Sequence, residues 1–138
     1  MADGLTLRII TPQKIVLDTA VSSVKVPGVD GLIGILPRHA GMVTALDIGL
    51  LHYDEGGQKK SIFVSGGFAE VRNNTVRVVS EAGERPEEID EERAKLAEER
   101  ARKRMKEARK IDGATIDLLR AELSLRRARM RLRVRQQR

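Results

Sequence analysis

The pattern Ile-Asp-x-x-Arg-Ala occurs twice in this chain, at residues 89–94 and 116–121. An Asp and an Arg three apart on a helix can pair, for about 0.2–0.5 kcal/mol. An acid in a first helical turn also complements the helix dipole. Each copy therefore reads either as a helix start or as part of a binding motif. The arginines around the copies suit anion binding. Arg93 and Arg100 are seven apart and share one helical face, and Arg120, Arg127 and Arg131 share another. If the chain turns back at 111–114, Arg93 comes to lie opposite Arg131, and Arg100 roughly opposite Arg127. Such a cluster repels itself, and a triphosphate would neutralise it through bidentate hydrogen bonds. Arg100, Arg127 and Arg131 are the phosphate candidates. Arg120, nearer the turn, is an additional one.

No other constellation competes. The chain has no Cys and only two histidines, His39 and His52, so no zinc site is expected. Gly28, Gly31 and Gly34 fit neither the dinucleotide fingerprint nor the P-loop, and read as turn geometry. No nucleophile–base–acid set or carboxylate pair stands out, so no catalytic role is expected.

The elements that must position these residues change character along the chain. "LTLRII", "AVSSVKV", "SIFVS" and "TVRVVS" read as short strands, with hairpin turns at "DEGGQK" and "RNN". Turn signals about every ten residues suit a β-sandwich or barrel with an aliphatic core. Beyond Pro86 the pattern becomes helical. Acids crowd the first turns and bases the end of residues 87–110, as the helix dipole favours, and Gly113 marks the stop. A second helix is expected from about Thr115 to Val134. Ala94, Ala97, Ala101 and Ala108 would form the inner face of the first helix. Leu118, Ala121, Leu125, Ala128 and Leu132 would form that of the second. The predicted fold class is α+β: an all-β sandwich over 1–84, then an antiparallel two-helix hairpin over 85–138. An Ala-lined seam buries little apolar area, so the hairpin should be marginal by itself.

Charge follows the same division. Residues 1–86 carry 9 basic and 9 acidic side chains, whereas residues 87–138 carry 17 and 11, so the whole net charge of +6 lies in the second segment. That asymmetry predicts an acidic partner for the helices. Nucleic acid is not expected as that partner, because the β half is neutral and nearly free of aromatics for base stacking. No apolar run approaches the roughly 20 residues needed to span a membrane, and the N-terminus lacks the features of a signal peptide.

Three stretches carry a resemblance. "VPGVDGLIGILPRHAGMVTALDIGLL" (26–51), "SIFVSGGFAEVRNNTVRVV" (61–79) and "RAELSLRRARMRL" (120–132) are similar to blocks of the ε subunits of bacterial F-type rotary ATP synthases. The family's usual Glu in "G-E-L-G" is Leu32 here, just before "IGILP", and its second Pro after "HA" is Gly41. The resemblance implies a non-catalytic part of the central rotor stalk of a proton-translocating synthase. Its sandwich would couple the γ subunit to the c-subunit ring, with Asp30 and His39 as contact candidates. Membrane contact would come only through the complex, at the cytoplasmic face of the bacterial cell membrane.

The resemblance also implies a regulatory hairpin. Extended, it would restrain ATP hydrolysis through basic contacts from Arg126, Arg127, Arg129 and Arg131 to an acidic segment of the catalytic β subunit. From Leu123 onward the chain has seven Arg and no acid. Closed, it would bind ATP, with or without magnesium, as a regulatory ligand rather than a required cofactor. Some relatives bind ATP through the Ile-Asp-x-x-Arg-Ala motif. Ile89, Asp90, Arg93 and Ala94 match it, and Glu84 matches an acid that precedes it. Ile89, Asp90 and Ala94 would hold the adenine, with Arg93 orienting Glu84 or Asp90. Arg127 and Arg131 also match family arginines. "IDLLRA" is the weaker candidate and reads as a helix start.

Overall fold

A computed structural model describes residues 4–136, in two β-sheets packed face to face and a two-helix hairpin. The first sheet contains β1 (Leu5–Ile10), β2 (Ile15–Val21), β5 (Met42–Ala45), β8 (Phe68–Arg72) and β9 (Thr75–Val79), in the order β2-β1-β9-β8-β5. The second contains β3 (Ser23–Gly28), β4 (Gly31–Ile35), β6 (Ile48–Glu55), β7 (Gln58–Ser65) and β10 (Gly83–Glu84), in the order β10-β7-β6-β3-β4. Strand β1 runs parallel to β9, and every other pairing between named strands is antiparallel.

Alternation builds the sandwich. Leu5, Leu7 and Ile9 of β1 and Val76 and Val78 of β9 point inward, as period-two patterning requires. Both expected hairpin turns form. Gly56 and Gly57 connect β6 to β7, and Asn73 and Asn74 connect β8 to β9, all four with positive φ, as two-residue hairpins demand. Gly28 and Gly31 serve turn geometry too, whereas Gly34 lies within β4, paired with Lys25. A Cβ on Gly28 would meet the Gly31 carbonyl oxygen at 2.8 Å across the β3–β4 turn. "AVSSVKV" is not one strand: the chain leaves the first sheet at Val21 and enters the second at Ser23.

In the second sheet, β6 and β7 are buried on both faces over part of their length. Ile62 and Val64 of β7 face the sandwich core, whereas the intervening Phe63 faces the opposite way, into a second cluster with Leu50, Ile89 and Val134. Ile48, Ala82 and Met130 pack against that cluster. It joins the sheet to the helices, and α2 (Thr115–Arg135) lies against β6 and β7. Helix α1 (Glu91–Arg109) buries Ala94, Ala101 and Ala108, a seven-residue repeat, and α2 buries Ala121, Leu125 and Ala128. Ala97, Leu118 and Leu132 are only partly buried.

The helical segment does not run unbroken from residue 87. Pro86–Glu88 form a single 3₁₀ turn, the backbone is extended at Ile89 and Asp90, and α1 starts at Glu91. Two side chains account for the break. Ile89 turns into the second core, where it is 5% exposed, and Asp90 becomes the cap of α1 rather than a residue of its first turn. No helix among the described residues is long and apolar enough to cross a membrane.

Candidate functional site

The mouth of the hairpin is built on the Ile89–Asp90 corner. Asp90 Oδ1 accepts the Arg93 backbone N–H at 3.1 Å, satisfying one of the donors left open at a helix start. That cap fixes the direction of α1, and the buried Ile89 fixes where it begins. Glu84, on the last strand, is paired in register with Phe63. Arg131 reaches it across the corner: Nε donates to Oε2 at 2.8 Å, and Nη2 donates to Oε1 at 3.1 Å. The same guanidinium lies 4.7 Å from the centre of the Phe63 ring, so Glu84, Arg131 and Phe63 form one stack. Among the described residues, Glu84 is thus oriented by Arg131 of α2 and not by Arg93.

These residues line one cleft of about 420 Å³ between the two helices and the last strand. All eight of the residues singled out for ATP line it: Glu84, Ile89, Asp90, Arg93, Ala94, Arg100, Arg127 and Arg131. Arg104, Glu88 and Ser124 line it as well and were missed in the sequence. Arg104 was within reach of sequence reasoning, since it sits four residues after Arg100 and so follows it on the same side of α1. Arg120 does not join the group. It lines a second hollow of about 360 Å³ nearer the turn, where Glu107 and Asp117 accompany it.

The cleft's acids are engaged and most of its bases are not. Glu84 binds Arg131, Glu88 binds Lys14 and Arg85, and Asp90 caps its helix. Arg127 donates to Ser124 Oγ at 3.1 Å and, among the described residues, forms no ion pair. Among the described residues, the guanidinium groups of Arg93, Arg100 and Arg104 have no carboxylate within salt-bridge distance either. Four like charges thus line one open cleft and raise the local positive potential. No group of side chains among the described residues could hold a metal ion.

The second copy of the motif has a different geometry. "IDLLRA" lies inside α2, whose cap position, Ala114, offers no side-chain hydrogen bond. Ile116 is exposed there, whereas Ile89 is buried.

The remaining basic candidates face other ways. Arg126 Nη2 donates to Asp47 Oδ2 at 2.8 Å, and Arg129 Nε lies 3.7 Å from Glu98 Oε2. Asp30 and His39 lie beyond opposite ends of β4. Asp30 is exposed in the β3–β4 turn, and His39 is half-buried with Nδ1 2.8 Å from the Ala40 carbonyl oxygen. Leu32 is 66% exposed between them, near the exposed side chains of Val29 and Leu36.

Comparison with known proteins fits this architecture. Residues 4–86 match the family described as ATP synthase, Delta/Epsilon chain, beta-sandwich domain. Residues 87–136 match its companion, the long alpha-helix domain. An ATP synthase epsilon chain from Carboxydothermus hydrogenoformans is 51% identical over 95 residues, covering 69% of this chain and 71% of the relative. One from Desulforamulus reducens is 42% identical over 123 residues, covering 89% and 90%. Among solved structures, a chain of the Euglena gracilis mitochondrial ATP synthase (OSCP/F1/c-ring) aligns with a TM-score of 0.77 at 25% identity, covering 92% of this chain and 78% of that one. A chain of the Tetrahymena thermophila mitochondrial ATP synthase central stalk and c ring aligns at 0.60 and 12% identity, a likeness of fold. A neutral sandwich, a basic hairpin and matches spanning almost the whole chain agree: it belongs to the ATP synthase delta/epsilon family, as a non-catalytic epsilon-type subunit of an F-type synthase.

Proposed function

We propose that this chain joins the rotor of a proton-translocating ATP synthase at the cytoplasmic face of the bacterial membrane and regulates ATP hydrolysis through its hairpin. The sandwich contacts the γ subunit and the c ring. Exposed apolar side chains at Val29, Leu32, Leu36 and Val43 support a covered surface there, and a similar chain occurs in an OSCP/F1/c-ring assembly. Asp30 and His39 flank part of that surface.

The hairpin binds ATP when docked and restrains hydrolysis when released. The observation that carries this reading is the cleft, where Arg93, Arg100 and Arg127 stand without carboxylate partners among the described residues, beside the Ile89–Asp90 corner. A polyphosphate between the helices bonds to both and so favours the docked form. At a ligand concentration 100 times Kd the gain is about 2.7 kcal/mol, enough to decide the state of an Ala-lined hairpin. Docked, two of the four candidate inhibitory arginines are held by carboxylates of the sheets: Arg126 by Asp47 and Arg131 by Glu84. Released, these two are free for an acidic segment of the catalytic β subunit.

Calorimetric titration of ATP and MgATP into the isolated chain tests the site. Saturable binding that is lost in Arg100→Ala/Arg127→Ala is expected, and no binding by the wild type would reduce the cleft to a loosely packed seam. Neutralising Arg126, Arg127, Arg129 and Arg131 together should raise hydrolysis by the assembled complex. Unchanged hydrolysis at normal subunit stoichiometry would count against the inhibitory role.

A further inference from the structure

Asp47 has no part in the cleft, yet its carboxylate is held with unusual care. It lies between β5 and β6, where its backbone N–H donates to the Pro27 carbonyl at 2.8 Å and its carbonyl accepts the Gly66 N–H at 3.3 Å. One carboxylate oxygen accepts the Ile48 N–H at 2.8 Å, and the other faces Arg126 Nη2 at 2.8 Å. The Arg126 hydrogen bond, foremost, draws its pKa below the usual carboxylate range. Loop, strand and guanidinium thus fix both oxygens.

We propose that Asp47 is an intramolecular decoy: a carboxylate of the sandwich that occupies Arg126 in the docked hairpin and so withholds it from an acidic partner. The proposal rests on the inhibitory reading of α2 and adds a restraint that acts without nucleotide. Two ion pairs tie α2 to the sheets among the described residues, Arg126–Asp47 and Arg131–Glu84, and the first lies outside the ATP-candidate cleft. Arg129–Glu98 joins two parts of the hairpin itself, so it does not resist undocking. Because the Asp47–Arg126 contact spans 79 residues of sequence, it exists only when α2 lies on the sandwich. An acidic partner must therefore win Arg126 from Asp47, and losing the decoy shifts the balance toward release.

The pair is partly exposed, so its expected effect is modest, about two- to fivefold in the docking equilibrium. Asp47→Asn suits the test because the amide oxygen can still accept the Ile48 N–H. In the isolated chain without nucleotide, Asp47→Asn and Arg126→Gln should each speed amide exchange in residues 115–135 by that factor. The exchanged pair Asp47→Arg/Arg126→Asp should restore the slower exchange. In the assembled synthase, Asp47→Asn should lower hydrolysis, whereas Arg126→Gln should not. Unchanged exchange in both single variants would overturn the latch. Faster exchange with hydrolysis unaltered in Asp47→Asn would overturn the decoy role. If neutralising all four arginines also leaves hydrolysis unchanged, the inhibitory reading itself fails.

Discussion

Arg131 grips Glu84 with two hydrogen bonds, of 2.8 and 3.1 Å, while its guanidinium carbon lies over Phe63, 4.7 Å from the ring centre. Both charged side chains are 29% exposed, so the pair is shielded better than an ordinary surface bridge. The geometry requires a planar fork. Arg131→Lys keeps the charge but loses the bidentate bond and the stacking. Docking of α2 should weaken by about 1 kcal/mol, an order-of-magnitude figure for a partly exposed charged hydrogen bond. Amide exchange should therefore accelerate several-fold in α2 while β1 and β9 stay protected. Equal protection in wild type and Arg131→Lys would show that the apolar cluster alone holds the helix.

Asp90 joins two roles that substitution can separate. As the cap of α1 it contributes about 1 kcal/mol, and Asn caps nearly as well as Asp. Asp90→Asn should leave the helix intact and Asp90→Ala should fray its first turn. If Asp90 serves only as a cap, ATP affinity in Asp90→Asn should match the wild type. The proposed ligand contact predicts that both variants lose affinity, alongside Arg93→Ala. Circular dichroism and ATP titration, read together on the three variants, distinguish these outcomes.

Much of this arrangement was legible in sequence, for physical reasons. Strands with one solvated face alternate, so β1 and β9 could be read directly, and the paired Gly and Asn turns announced their hairpins. Arginine spacing placed Arg93, Arg100, Arg127 and Arg131 along one cleft, because a short turn sets the register of an antiparallel pair. What escaped depends on tertiary contact. Phe63 sits between Ile62 and Val64 in an unbroken buried run, and only the docked helix explains why it is covered. The extended corner at Ile89 escaped because the charge pattern favours helix throughout, and a buried isoleucine overrides it. Arg131 pairing with Glu84, and Arg126 with Asp47, required the fold to bring together residues 47 and 79 positions apart.

The sandwich should stand without the hairpin. Its main core, from Leu5 to Val78, is closed by residues of the sandwich, and the helical segment contributes only to the separate cluster around Phe63, through Ile89 and α2. A chain ending at Glu84 keeps β10 and its pairing with β7. It should fold cooperatively and still bind γ, with Leu50 and Phe63 newly exposed and solubility reduced. A folded truncation that fails to bind γ would place part of that interface on the helices.

Docking should also respond to acid through His52. On β6 it shares the outer face with Leu50, beside the helix, and its Nδ1 lies 2.7 Å from Ser61 Oγ on β7. Partial burial, then the charges of Lys25 on β3 and Arg133 on α2, lower its pKa from 6.5. The docked form therefore prefers a neutral ring. The sign follows from linkage: docking is fully favoured above the ring's ordinary value and weakens as pH falls from there toward the lowered one. Arg126–Asp47 does not share this window, because the lowered pKa of Asp47 keeps that pair intact until more acid conditions. Amide exchange of α2, corrected for its intrinsic pH dependence, should show weaker docking at pH about 5.5 than at about 7.5. His52→Gln, which cannot gain a proton, should flatten that difference while leaving Arg133 in place. The same slope in both proteins would assign the acid response to another group.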